Sequence, residues 1–70
     1  MNSTTNILSL NVNGLRDSRQ RKNIFTWLKG LEADLFLLQD VRCEDEDDQI
    51  EWTREWRGAA AWFGKVAILV

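Results

Sequence analysis

Two apolar runs separated by a helical pattern constrain this 70-residue chain more than anything else in it. Ile7, Leu8 and Leu10 make a short, nearly continuous apolar strand that ends at Asn11-Val12-Asn13-Gly14. Between Gln20 and Leu31 the residues Ile24, Trp27, Leu28 and Leu31 fall at i, i+3, i+4 and i+7, one stripe of an amphipathic helix. Asp17 or Ser18 is available as its N-cap, and Gly30 marks its fraying end. Asp34 to Gln39 then reads Asp-Leu-Phe-Leu-Leu-Gln, an apolar run without alternation that suits a strand buried on both faces. Two such strands around a helix have one favoured arrangement. Residues 6 to 11 and 35 to 39 are expected to be adjacent and parallel, joined by a right-handed crossover through a helix over residues 19 to 30. Asn13-Gly14 is also a hairpin signal, but no second alternating strand follows it.

The remainder is sparser. Val41 to Asp48 reads as a charged loop, and Ile50, Trp52 and Trp56 allow a short helix. Ala59 to Phe63 and Lys65 to Val70 look like two more strands joined at Gly64, the second apolar to its final residue. A strand that stops in mid-run reads as a truncated chain and as an edge on which another chain can pair. With no repeat, no low-complexity linker and no proline, residues 1 to 70 form at most one small domain of the α/β class. The four tryptophans suit a core or a partner-facing surface better than a base-stacking platform.

Charge is unevenly spread. Residues 1 to 35 carry five Lys/Arg against three Asp/Glu and residues 36 to 70 carry four against eight, for a net charge of −2. The basic residues cluster at Arg16, Arg19, Arg21 and Lys22, which suit either a phosphate-facing surface or a solvated helix face. The acidic run Glu44 to Asp48 would repel a phosphate backbone unless solvated away from it. A single cysteine, Cys43, excludes an internal disulfide and suits an inert thiol. Met1 to Thr5 has neither a basic nor an apolar leader region, and no apolar run approaches membrane-spanning length, so the reading is a soluble, intracellular chain without a membrane partner.

In an open α/β sheet, ligands sit in the crevice beyond the carboxyl ends of the strands, which would bring Asn11 and Asp40 to one pocket. The alternative is that Asn11 and Asn13 are turn formers and Asp40 a solvated loop carboxylate.

Leu10-Asn11-Val12-Asn13-Gly14-Leu15, Leu37-Leu38-Gln39-Asp40, Trp56-Arg57-Gly58 and Gly64-Lys65-Val66-Ala67-Ile68-Leu69, with Arg21-Lys22 and Trp27-Leu28 on the helix between the first two, occur in an order and spacing that resemble a known family. They are similar to the N-terminal part of the endonuclease/exonuclease/phosphatase superfamily, and most similar to the endonuclease domain of LINE-type (non-LTR) retrotransposons. The resemblance implies a partial domain of a four-layer α/β sandwich, here a βαβ unit with parallel strands plus a C-terminal β-hairpin. It implies Mg²⁺-dependent cleavage of phosphodiesters with DNA as partner, in an intracellular, nuclear setting. On it, Asn11 is the active-site asparagine that hydrogen-bonds the catalytic carboxylate and the scissile phosphate, and Asp40 stands where the family has its metal-binding glutamate. Arg16 and Arg19 are the expected nucleic-acid contacts.

Three departures shape the expectation. Asp40 is one methylene shorter than glutamate, so it is expected to reach Mg²⁺ through a water. Only Gly64 and Lys65 separate Trp62-Phe63 from the last strand, a shortening expected to spoil the register of the hairpin. The family's later Asp-x-Asn and Ser-Asp-His segments have no counterpart and the chain has no histidine, so it should not cut DNA alone. Two other readings stay open: a non-catalytic interaction module, and part of a phosphatase-like member acting on other phosphoesters.

Overall fold

Parallel pairing of the two predicted strands organises the structure, a computed structural model that describes residues 5–70. The polar start, Met1 to Thr4, lies outside the described residues. In chain order the elements are β1 (Ile7–Asn11), α1 (Ser18–Lys29), β2 (Leu35–Gln39), α2 (Glu46–Trp56), β3 (Ala60–Phe63) and β4 (Val66–Leu69). The sheet runs β1-β2-β4-β3. β1 and β2 are parallel, in register from Ile7 opposite Leu35 to Asn11 opposite Gln39, and β4 is antiparallel to both β2 and β3. The unit is therefore the expected βαβ plus C-terminal hairpin, a small α/β architecture with a mixed sheet.

Two expectations about the strands need correction. β4 is no edge: it is hydrogen-bonded on both sides, and among the described residues the edges are β1 and β3. The short hairpin keeps its register, because Gly64 supplies a positive φ of 69° at the first position of a two-residue turn and Phe63 sits opposite Val66.

Both helices cover the same face of the sheet. Phe36, Leu38, Ala67 and Leu69 on that face pack with Phe25 and Leu28 of α1, Trp52 and Trp56 of α2, and loop residues Val12, Leu15, Val41 and Cys43. Trp56 meets both Phe25 and Phe36 edge to face, at 5.5 and 5.6 Å between ring centres, and Trp52 meets Trp62 likewise at 5.6 Å. The other face carries Ile7, Ser9, Asn11, Gln39, Phe63 and Val66 exposed, with Leu35, Leu37 and Ile68 half-buried. β2 is thus buried on one face only, which corrects the reading of its apolar run as a strand covered on both.

Asp17 caps α1, its carboxylate accepting from the backbone N–H of Arg19 and Gln20 at 2.9 and 3.1 Å. The buried line of α1 is Arg21, Phe25 and Leu28, with Ile24 and Leu31 partly covered, while Trp27 is 52% exposed. The apolar stripe expected at 24, 27, 28 and 31 is therefore rotated, because a buried arginine occupies its first turn. Arg21 forms a two-pronged ion pair with Glu55, Nε to Oε1 at 3.0 Å and Nη2 to Oε2 at 2.8 Å, and donates to the carbonyl of Leu15 at 2.8 Å. It also lies 5.0 Å from the centre of the Trp52 ring. The expectation that Arg21 faces phosphate or solvent is overturned by these contacts.

The acidic run is split by α2. Asp45 caps the helix by accepting from the N–H of Asp48 at 2.8 Å, and Glu46, Asp47 and Asp48 form its first turn. Negative charge there is favourable because the free N–H groups of a helix start carry partial positive charge, so residues expected in a loop begin a helix instead.

α2 ends at Arg57 in the left-handed conformation, and Gly58 follows where there is no room for a side chain. The Trp56 indole N–H donates to the Val70 carbonyl at 3.1 Å, and a Cβ at Gly58 would stand 2.6 Å from that oxygen and 2.8 Å from that nitrogen. Gly58→Ala is therefore expected to lose about 1–3 kcal/mol and to shift the Trp56 indole N–H resonance. Gly64→Ala meets nothing within 4 Å and should cost only its left-handed strain, leaving that resonance in place. Urea unfolding with NMR of the indole signals checks both.

Candidate functional site

The parallel pairing does not stop where the strands do. Beyond Asn11 and Gln39 the backbone continues to zip: Val12 N–H donates to the Gln39 carbonyl at 3.0 Å, Gly14 to Asp40 at 2.6 Å and Leu15 to Val41 at 3.1 Å. On the other side, Val41 and Cys43 donate to the carbonyls of Lys65 and Gly64 at 3.0 and 2.9 Å. The loop after β2 is thus held between the loop after β1 and the β3–β4 turn, and both predicted residues stand at the carboxyl edge of the sheet.

Each of the two side chains is satisfied close to home. Asn11 Oδ1 accepts from the N–H of Asn13 at 3.0 Å, a turn that places Asn13 at φ 55° and Gly14 at φ 86°. Asp40 has φ 58°, and its carboxylate takes Nε and Nη2 of Arg42 at 2.9 and 3.1 Å. The Asp40 carboxylate in turn raises the Arg42 pKa above its ordinary value, through its hydrogen bonds and its charge. Arg42 itself has φ 57°, unusual for a long side chain, and a Cβ at Gly14 would lie 3.5 Å from its Cδ. The Arg42 side chain therefore lies beside Gly14 of the β1 loop where it bonds Asp40. Sequence reasoning missed Arg42; its signal is a cation two residues beyond a carboxylate at a strand end.

Gln39 is the other addition. It lies opposite Asn11, on the uncovered face, and its Nε2 donates to Ser9 Oγ at 2.7 Å. Period-two alternation aligns Ser9, Asn11 and Gln39 as a polar strip leading to the site.

The two arginines expected to hold nucleic acid part company. Arg16 is bound to Asp48 at 2.9 Å and to Glu44 at 3.5 Å, so its charge is spent on the acidic run. Arg19 lines an open groove between α1 and α2.

Asn11 and Asp40 offer one amide oxygen and one carboxylate, hard donors of the kind Mg²⁺ accepts while it keeps several waters. Among the described residues no group of three or more His, Cys, Asp or Glu converges. The donor set fits a largely hydrated Mg²⁺ at most, and Arg42 competes for its only carboxylate. Cys43 adds nothing to it: burial first, then Asp48 and Asp45, push its thiol up to about 11, and it stays protonated at neutral pH.

The sequence model of the Endonuclease/Exonuclease/phosphatase family matches residues 4–70. Comparison with curated proteins and with solved structures gives no match.

The raised thiol has a measurable consequence. Because the folded state holds its proton to about 11 while an unfolded thiol loses it near 8.5, the stability this proton contributes is complete below the lower value and is lost as pH rises to the upper one. Alkylation of Cys43 by iodoacetamide at pH 8 is expected to be slow in the native chain and fast in urea, and Cys43→Ser is expected to flatten the loss of stability between pH 9 and about 11.

Proposed function

The chain belongs to the Endonuclease/Exonuclease/phosphatase family, and we propose that it carries the asparagine and the first metal-binding carboxylate of a Mg²⁺-dependent, LINE-type DNA endonuclease. The observation that supports this most is the zipped pair of loops beyond β1 and β2, which sets Asn11 and Asp40 at one sheet edge. When bound, Mg²⁺ stabilises the negative charge that grows on phosphoryl oxygens during phosphodiester hydrolysis.

The chain's own groups have distinct tasks in this reading. Asp40 supplies the charge that attracts the cation, and Asn11 supplies an uncharged polar group that orients a phosphate without repelling it. Arg42 neutralises Asp40 until an anionic substrate draws the guanidinium onto its own phosphate oxygens, a transfer that suits a forked donor. The groups that would activate water and protonate the leaving oxygen are not in this sequence, which has no histidine.

Two outcomes are expected. First, the 70-residue chain should leave supercoiled DNA uncut in Mg²⁺; cleavage that disappears in Asn11→Ala would show that an oligomer completes the site. Second, Mg²⁺ should move the amide NMR signals of Asn11 and Asp40 with weak affinity. Arg42→Gln should tighten it about two- to fivefold, the usual worth of one exposed ion pair, and Asp40→Glu should tighten it by restoring reach. If only Glu44 to Asp48 respond, the proposal that Asn11 and Asp40 hold the ion falls.

A further inference from the structure

The two helices run side by side in the same direction. Contacts ascend together along both: Arg16 with Asp48, Arg21 with Trp52 and Glu55, Phe25 and Lys29 with Trp56. They are bridged by long side chains, which leaves between them an open groove of about 880 Å³ lined by residues of α1, α2 and Arg57 and by none of the sheet. Its walls carry Arg19, Lys22 and Lys29 from α1 and Arg54 and Arg57 from α2, against Glu51. Glu55 and Arg21 also line it but neutralise each other. None of the five cations forms an ion pair among the described residues. Five positive charges against one negative give the groove +4, on a chain whose net charge is −2.

We propose that this groove binds the phosphodiester backbone of nucleic acid, without reading its sequence. Spacing fits: Arg19 to Lys29 is ten residues, about 15 Å along a helix, and a duplex strand presents one phosphate per 3.4 Å of axis, so about four fall within reach. Chemistry fits as well, since three of the five cations are arginines, whose forks take two phosphate oxygens at once. The floor decides against an acidic protein segment. Protein partners depend on an apolar anchor entering a pocket, but Phe25 and Trp56 beneath the groove are 4% and 1% exposed, and Lys29 already covers the Trp56 ring at 4.0 Å. Charge without an accessible anchor suits a polyanion held by counterion release. No residue of the Asn11–Asp40 edge lines the groove, and binding there needs no metal.

The test is fluorescence anisotropy of a labelled mixed-sequence DNA duplex with the full chain in EDTA, over roughly 50 to 200 mM salt. Lys22→Ala with Arg54→Ala should raise Kd severalfold and lower the salt slope by about 1.8, 0.9 for each lost phosphate contact. Lys65→Ala, an exposed cation on the β3–β4 turn, should leave the slope unchanged, and far-UV circular dichroism of all variants should match the parent. A second duplex of different sequence should bind equally. The proposal is overturned if the double variant keeps the parent slope, if Lys65→Ala lowers it as much, or if poly-L-glutamate competes as well as DNA at equal charge, which would make the groove an acidic-polypeptide surface. Because EDTA removes any metal, failure here is independent of the outcome of the Mg²⁺ titration.

Discussion

The buried guanidinium of Arg21 is the contact on which the packing of the helix layer turns. One side chain joins α1 to α2 through Glu55, to the β1–α1 loop through the Leu15 carbonyl, and to the core through the Trp52 face. A buried charge is tolerated only when its donors are used, and here Nε, Nη1 and Nη2 all have partners. Lysine could not replace it, having one point charge and no fork to hold a carboxylate in plane. Removing one partner of a fully buried pair costs about 3–5 kcal/mol; the figure is smaller here because the Glu55 side chain keeps 32% of its surface in water. Even so, a core this small has few interactions of comparable size.

A second constraint acts in the loops that lead from the strands into the helices. The parallel register of β1 and β2 carries on through three loop hydrogen bonds, so the loops are extensions of the sheet rather than free connections. Four residues, Asn13, Gly14, Asp40 and Arg42, adopt positive φ there. Asparagine, glycine and aspartate do so readily, but arginine does not, and its conformation is held by the two bonds to Asp40. Geometry that is over-determined in this way keeps polar side chains at a fixed place on the sheet edge.

The strands, the crossover helix and the Asp17 cap were legible because each depends on local pattern: apolar runs, a 3.6-residue period and a side chain that accepts from its own helix start. What escaped depends on contacts distant in the sequence. Trp27 and Arg21 exchanged expected places because Glu55, 34 residues away, makes burial of the arginine favourable. β4 became an interior strand because both β2 and β3 pair with it. The acidic run is a different case, since its partner is local: Asp45 accepts from the helix start it caps, but five consecutive acids read as a solvated charge run rather than as a cap and first turn. At the site, the positions of Asn11 and Asp40 were legible from strand ends. The ion pair that occupies Asp40 was not, since nothing in Asp40-Val41-Arg42 shows that both residues turn left-handed.

Net charge was the least reliable guide, for a reason the ion pairs make explicit. The sum of −2 counts acids that are already committed: Asp45 caps α2, Glu46 to Asp48 sit on its positive end, Glu44 and Asp48 hold Arg16, Asp40 holds Arg42, and Glu55 holds Arg21. The cations left over are not scattered but face one another across the gap between α1 and α2. An approaching polyanion responds to this local field within about a Debye length, about 8–10 Å at ordinary salt, and not to the total. A chain that is acidic overall therefore presents a basic groove on its helix layer, while the strand-end site keeps its carboxylate screened by Arg42. The two surfaces differ in the state of their charges: the cations of the groove form no ion pair among the described residues, and the carboxylate at the sheet edge is paired with Arg42.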